Sequence, residues 1–330
     1  MSLSKKIITI TASIIISLLF LETLLRISGY KPWKNIILNE QQVFKFDSML
    51  GWKAKKGSFV ITPANQIGEK FSMNFEEDGQ RVSGSINIEK NDILFIGGSF
   101  TQGWGVNDED TFSSKIQEKY KKYKVHNFGQ GGYGGVQSLL LLKEQILKVK
   151  DPKLVIYGFI AHHEYRNVAR ARWLRTLAKY SKRGHIKTPY AYLGEKNELL
   201  IHPPIGYLNL PLREVSSLIT IIEKVYMKLI TKKRKKQQKT VTKEIILKMK
   251  NISNKNNANF ILLVLDMSNE DLKNNYNNFL IENKIKFVNC SVPLKGEMIL
   301  PGDYHPSKNG HEHYSECLSK YIKEKKIISN

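Results

Sequence analysis

Cysteine is nearly absent from this chain of 330 residues: Cys290 and Cys317 are the only two. That excludes a finger-like zinc site, which needs a set of closely spaced Cys and His ligands. Acidic residues are also scarce, 30 Asp and Glu against 52 Lys and Arg, which leaves a formal net charge of +22. Such a surplus suits a polyanion or an anionic surface. No nucleic-acid recognition motif accompanies it, so nucleic acid is not an expected partner. No internal repeat is evident either. The excess is mostly lysine among many Asn and Ile, a mixture that a compositional bias produces equally well. Its densest block, KKRKKQQK at 232–239, reads either as a solvated loop or as a patch for lipid headgroups or an acidic glycan.

What is present is an ordinary globular composition, 41% hydrophobic and 25% charged, so a sizeable core can be buried. The N-terminus stands apart from it. Lys5 and Lys6 precede Ile7 to Leu25, a run whose only charge is Glu22. About 20 apolar residues are what a helix needs to cross a bilayer. The hydroxyls of Thr9, Thr11 and Ser13 can bond back to the helix. A cleaved signal peptide would have a shorter run and a small-x-small site; an uncleaved anchor is the expectation. The lysines before it keep the N-terminus cytoplasmic, which leaves the rest of the chain in the periplasm or at the cell surface.

The spacing then divides the chain into three parts: 1–28 as cytoplasmic tip and anchor, 29–90 as a β-rich preamble, and 91–330 as the main domain. In the preamble, short alternating runs broken by Asp-Gly and Ser-Gly predict strands and turns. In the main domain, strands over 93–96, 124–128, 154–160, 259–265 and 285–290 alternate with helical patterns, the later ones near 240–251, 269–283 and 307–325. Alternation of this kind predicts parallel pairing, right-handed crossovers and a three-layer α/β/α, flavodoxin-like domain. An insertion at about 165–239 interrupts it. Its apolar stretch, Val215 to Ile230, reads as an amphipathic helix on a membrane or as a helix packed on the core.

Chemistry-bearing residues gather at predicted strand ends, where open α/β sheets hold their ligands. The first strand runs into Gly97-Gly98-Ser99, a sharp turn that exposes a serine and its backbone N–H. The second ends in NFGQGGYGG at 127–135, and the third runs into His162 and His163. After the last strand comes PGDYHPSKNGHEHY, in which Asp303 can orient His305 while the other ring nitrogen takes a serine proton. No metal is expected: His311 and His313, two apart on a helix, point in different directions. His126, His185 and His202 read as surface or packing residues. Glu164 and Arg166 either fix the ring orientations or form a surface pair. An extracytoplasmic location permits a disulfide. Two separate buried thiols are nevertheless the expectation, since Cys290 ends a strand-like run and Cys317 lies on the last helix.

Four strand-end motifs in this order resemble the SGNH/GDSL hydrolase superfamily over roughly residues 91–320. Gly97-Gly98-Ser99-Phe100-Thr101 matches its Gly-Asp-Ser block, Asn127 with Gly132 its second block, and Asp303, His305 and Pro306 its last. The chain departs at Gly98, where the family has Asp, at His162 or His163, where it has an oxyanion-binding Asn, and in its Asp-x-His spacing. The resemblance implies Ser99, Asp303 and His305 as the catalytic triad. It implies an oxyanion hole from the Ser99 and Gly132 backbones with His162. No cofactor is implied. The anchor, the preamble and the insertion resemble members associated with bacterial envelope polysaccharides. The implied activity is an esterase acting on acyl esters, O-acetyl groups of such a glycan above all. An O-acyltransferase drawing on a membrane acyl-donor protein shares every one of these residues. A glycan-binding or assembly protein on the same scaffold is the non-catalytic alternative.

Overall fold

The computed structural model describes residues 2–36, 42–63, 68–84, 91–181 and 186–329. Helix α1 (Leu3–Ile27) opens the chain, and two antiparallel pairs follow: β1 (Phe44–Asp47) with β2 (Gly51–Ala54), and β3 (Gly57–Ile61) with β4 (Phe71–Phe75). The alternating part then begins with β5 (Asp92–Gly97), α2 (Ser99–Gln102), α3 (Phe112–Lys119), β6 (Lys124–Gly129), α4 (Gly135–Gln145), β7 (Pro152–Ile160), α5 (His162–Asn167) and α6 (Ala171–Tyr180). A third antiparallel pair, β8 (Thr188–Leu193) with β9 (Leu199–Ile205), precedes α7 (Ser217–Ile230), α8 (Lys232–Lys236) and α9 (Gln238–Lys255). The chain finishes with β10 (Asn259–Asp266), α10 (Asn269–Leu272), α11 (Asn278–Glu282), β11 (Lys286–Asn289) and α12 (Lys308–Glu324).

These elements form two compact units. The larger comprises Leu38–Ala169, Thr188–Ile205 and Arg234–Asn330. Its five-stranded sheet has the order β11-β10-β7-β5-β6, with every neighbouring pair parallel. All six residues of β5 are buried, as are eight of the nine in β7. Unbroken burial of this kind means that helices cover both faces. On one face, Phe95, Ile156 and Leu263 pack with Phe112 and Ile116 of α3 and Tyr314 and Leu318 of α12. The fold is therefore a three-layer α/β/α domain, preceded by small antiparallel pairs and an apolar helix. Strand β5 lies between β6 and β7, so the chain reverses direction across the sheet at its carboxyl end. Ser99 stands at that switch point, where such sheets bind ligands.

The preamble strands bury Ile61, Met73 and Phe75 together and are tied to the loop after β6. The Trp52 indole donates to the Gly131 carbonyl (2.9 Å) and the Gln137 amide to that of Leu50 (2.8 Å). Gln130 accepts from the Ala54 N–H (3.1 Å) and donates to the Gly79 carbonyl (2.7 Å).

The smaller unit comprises Met1–Ile37, Arg170–Lys187 and Gly206–Lys233. Helix α1 is the one described helix long and apolar enough to cross a membrane, and it ends where Gly29 turns the chain at φ +86°. Trp33 stacks on Tyr207 (5.4 Å between ring centroids), with the Arg213 guanidinium 4.1 Å from its own ring centroid.

The segment expected as an insertion contains the β8–β9 pair. Two expectations need correction. The basic block is a helical turn, α8, rather than a loop. Cys290 and Cys317 are joined in a disulfide: the strand end and the helix lie side by side, with their Cα atoms 5.9 Å apart. Sequence separation gave no hint of that contact.

Candidate active site

Ser99 opens α2 directly after the Gly97-Gly98 turn and is almost fully buried. Its Oγ lies 2.8 Å from His305 Nε2, and His305 Nδ1 lies 2.5 Å from Asp303 Oδ1. A serine, an imidazole and a carboxylate are thus connected in series across more than two hundred residues. The relay loop is closed on itself: Leu300 N–H donates to the His305 carbonyl (2.9 Å) and Asp303 N–H to that of Leu300 (3.2 Å). Ser307 then caps α12 by accepting from the Gly310 N–H. Burial works to raise the Asp303 carboxyl. The hydrogen bond and charge of His305, with the Trp104 indole and the Tyr304 N–H, outweigh it and hold that carboxyl below its ordinary range. An ionised carboxylate here fixes the ring so that Nε2 faces the serine and can take its proton. Beside it lies a cleft of about 480 Å³ lined by Ile299, Leu300, Pro301, Gly302, Asp303 and Tyr304.

Gly132, at φ +79°, lies in the loop after β6. That strand pairs with β5 through Gly97 opposite Gly129, and the Gln130 N–H donates to the Gly97 carbonyl (3.1 Å). Ser99 and Gly132 therefore leave adjacent strands at one sheet edge. Asn127 is fully buried. Its amide donates to the Thr101 carbonyl (2.9 Å) and Ser113 Oγ (2.8 Å), so it positions the serine loop from below.

The two histidines after β7 differ in burial and in partners. His163 is fully buried, with Nδ1 2.7 Å from the Tyr157 hydroxyl and its ring stacked on the same tyrosine. Burial, then the charges of Arg166 and His162, push it well below the ordinary histidine value, so it is neutral. Its Nε2 is 2.8 Å from where a Cβ on Gly98 would stand. His162, at the start of α5, is only half-buried and packs against Tyr165 (5.3 Å). It is the one of the two left at the open sheet edge.

Glu164 and Arg166 are not a surface pair. Both are buried. Glu164 accepts from the Tyr276 hydroxyl (2.8 Å) and the Gln238 amide (3.2 Å), while Arg166 Nη1 donates to the Tyr133 carbonyl (2.9 Å), in the Gly132 loop. His126 is a buried partner of Asp92 (2.7 Å) rather than a surface residue, and His202 packs against both Tyr190 and Tyr192. His311 packs flat on Phe112 and accepts the Phe112 N–H (3.3 Å), and His313 Nε2 sits 3.1 Å from the Cys290 carbonyl. His185 lies outside the described residues. Among those residues no group of three or more His, Cys, Asp or Glu could hold a metal.

Sequence reasoning missed two residues. Arg81, in the preamble, is 1% exposed. Its Nε contacts Asp108 (2.6 Å), Nη1 donates to the Gln102 carbonyl (2.9 Å), and Nη2 donates to those of Val106 (2.7 Å) and Ser72 (3.0 Å). The Arg81 N–H also bonds the Asn127 carbonyl (2.8 Å). One guanidinium thus closes the loop that follows Ser99. The other is Trp104, which bonds the relay carboxylate. Their only sequence signals were an Arg after an Asp-Gly turn and a Trp between glycines.

No family model and no curated protein sequence matches the chain. Its solved structural neighbours are distant. TesA shares 11% identity at a TM-score of 0.44, over 72% of this chain and 100% of its own. A putative G-D-S-L lipolytic protein from Desulfitobacterium hafniense DCB-2 shares 14% at 0.42, over 70% and 99%. A catalytic mutant of Axe2, an acetylxylan esterase from Geobacillus stearothermophilus, shares 11% at 0.40, over 73% and 96%.

Proposed function

We propose that this chain is a membrane-anchored serine esterase acting outside the cytoplasm on acyl esters, in particular O-acetyl groups of an envelope polysaccharide. The observation that carries the reading is the series Ser99 Oγ, His305, Asp303, at 2.8 and 2.5 Å. His305 Nε2 takes the Ser99 proton as Oγ attacks the ester carbonyl. The developing oxyanion is met by the Ser99 and Gly132 backbone N–H groups and the His162 imidazole. His305 then returns the proton to the leaving sugar oxygen, and water, deprotonated by the same ring, releases the acid. Helix α1 is the anchor, with the N-terminus cytoplasmic. The Cys290–Cys317 disulfide supports an oxidising compartment for the rest of the chain. The glycan substrate rests on the resemblance to envelope-polysaccharide-associated members.

Hydrolysis of 4-nitrophenyl acetate by the purified full chain and by its Ser99→Ala variant tests the chemistry. We expect the variant to lose at least about 10³-fold in kcat; equal rates in the two proteins sink the assignment. Release of acetate from an O-acetylated glycan then tests the substrate.

A further inference from the structure

Helix α7 is built the wrong way round for a helix in water. Its inward positions are Ser217, Thr220 and Glu223 with Met227, all buried. Its outward positions are Ile222, Val225, Tyr226, Leu229 and Ile230, each between 44% and 63% exposed. Those five follow the i, i+3, i+4, i+7, i+8 spacing of a single stripe. Among the described residues the stripe stays exposed, and the polar face is the one that finds partners. A soluble helix does the reverse.

The depth of α7 follows from its join to α1. Glu22 accepts from the Ser217 N–H (2.9 Å), the Leu218 N–H (2.9 Å) and the Ser216 hydroxyl (2.8 Å). Arg26 holds the same carboxylate at 2.6 Å. The only charge in the apolar run is thus neutralised and capped by the first turn of α7. If the hydrocarbon core begins at Ile7, about 20 residues carry it to its far boundary near Ile27. Glu22 then lies about 7.5 Å short of that boundary, at 1.5 Å per residue. The start of α7 is held at that level. With 14 residues, roughly 21 Å, α7 is too short to span and lies in the interface.

Charge agrees with depth. The smaller unit holds 17 of the 52 Lys and Arg but only 3 of the 30 Asp and Glu. It therefore carries well over half of the net positive charge, and α7 leads directly into the basic turn α8. We infer that α7 is a second membrane element, resting on the reading of α1 as an anchor: its apolar stripe enters the acyl boundary of an anionic phospholipid leaflet, and the basic residues at its end engage the headgroups.

The test places single cysteines at Ile15, Val225 and Leu229 of the full chain, labelled with an environment-sensitive fluorophore. The protein is held in nanodiscs of phosphatidylcholine with phosphatidylglycerol. Lipids bearing a nitroxide near the headgroup end of the acyl chain should remove most of the emission at Val225→Cys and Leu229→Cys, and aqueous iodide should remove little. Iodide quenching at both, with lipid quenching kept at Ile15→Cys, overturns the inference and leaves the anchor standing. Protection from both quenchers means that a protein covers the stripe, which also overturns it. Loss of lipid quenching at Ile15→Cys removes the anchor itself. In discs of phosphatidylcholine alone, quenching at Val225→Cys and Leu229→Cys should weaken; unchanged quenching overturns the headgroup contact.

Discussion

The residue before the candidate nucleophile is a glycine because a histidine occupies its side-chain space: His163 Nε2 lies 2.8 Å from the position of a Gly98 Cβ, and the Tyr133 carbonyl lies 3.3 Å from it. In the family that the chain resembles, that position carries Asp and the third block carries Asn; here both differ. Gly98→Asp is therefore expected to destabilise by about 1–3 kcal/mol through overpacking. Pairing it with His163→Ala should recover much of the loss, because the second change empties the volume that the first one fills. Thermal denaturation of the two single variants and the double variant decides; strict additivity contradicts the pairing.

Arg81 is the second candidate for mutation, although it is remote in sequence from Ser99. Arg81→Met leaves Asp108 and the Gln102 and Val106 carbonyls without their buried donor. Removing one partner of a buried pair typically costs about 3–5 kcal/mol. Denaturant titration should show a loss of that size, with kcat for acetyl-ester hydrolysis falling as the serine loop loosens. A stability change within a few tenths of a kcal/mol, or unaltered kcat in the folded fraction, argues against the clamp.

Asp303→Asn keeps the shape of the relay but removes its charge. The expected effect is a fall in kcat of about 10²–10⁴-fold with KM little changed, since an amide no longer selects the required tautomer. The folded carboxyl is held below its unfolded value by His305, Trp104 and Tyr304 against the opposing effect of burial. The folded enzyme thus keeps the ionised carboxylate, and the activity that needs it, until pH falls through that lowered folded value. Steady-state kinetics of both proteins across the acid range are the check.

His311 gives the protein an acid-sensitive core. Burial, followed by the charges of Arg81, His305 and Lys115, lowers it from the ordinary histidine value to about 3. The unfolded chain therefore binds a proton that the folded chain refuses between pH 6.5 and about 3. Stability present above that window is lost as pH falls through it, by up to about 1.4 kcal/mol per pH unit. His163, also depressed, acts in the same direction. A His311→Gln variant should show a shallower decline of Tm between neutral pH and pH 4 than the unaltered chain. Parallel Tm curves contradict the assignment.

Much of this protein can be read along the chain. A strand buried on both faces must be a continuous apolar run, so β5, β7 and β10 announce themselves locally, and the glycines and polar residues at their ends mark where ligands collect. The motif order, from Ser99 through Asn127 to Asp303 and His305, requires no knowledge of contacts. Hydropathy likewise suffices for α1, because the length of an apolar run is a local quantity.

What only the tertiary structure decided are pairings between residues far apart in sequence. The burial of His163 depends on Tyr157 and on the space left by Gly98. The role of Arg81 depends on carbonyls some twenty residues away, and the disulfide on a strand end meeting a helix. The inverted face of α7 was written in its sequence as amphipathicity, but periodicity gives a stripe without saying which way it faces. Glu22 decides that, by holding the helix at its N-terminus with the polar side turned in. Local patterns specify which surfaces must find a partner; packing alone specifies the partner.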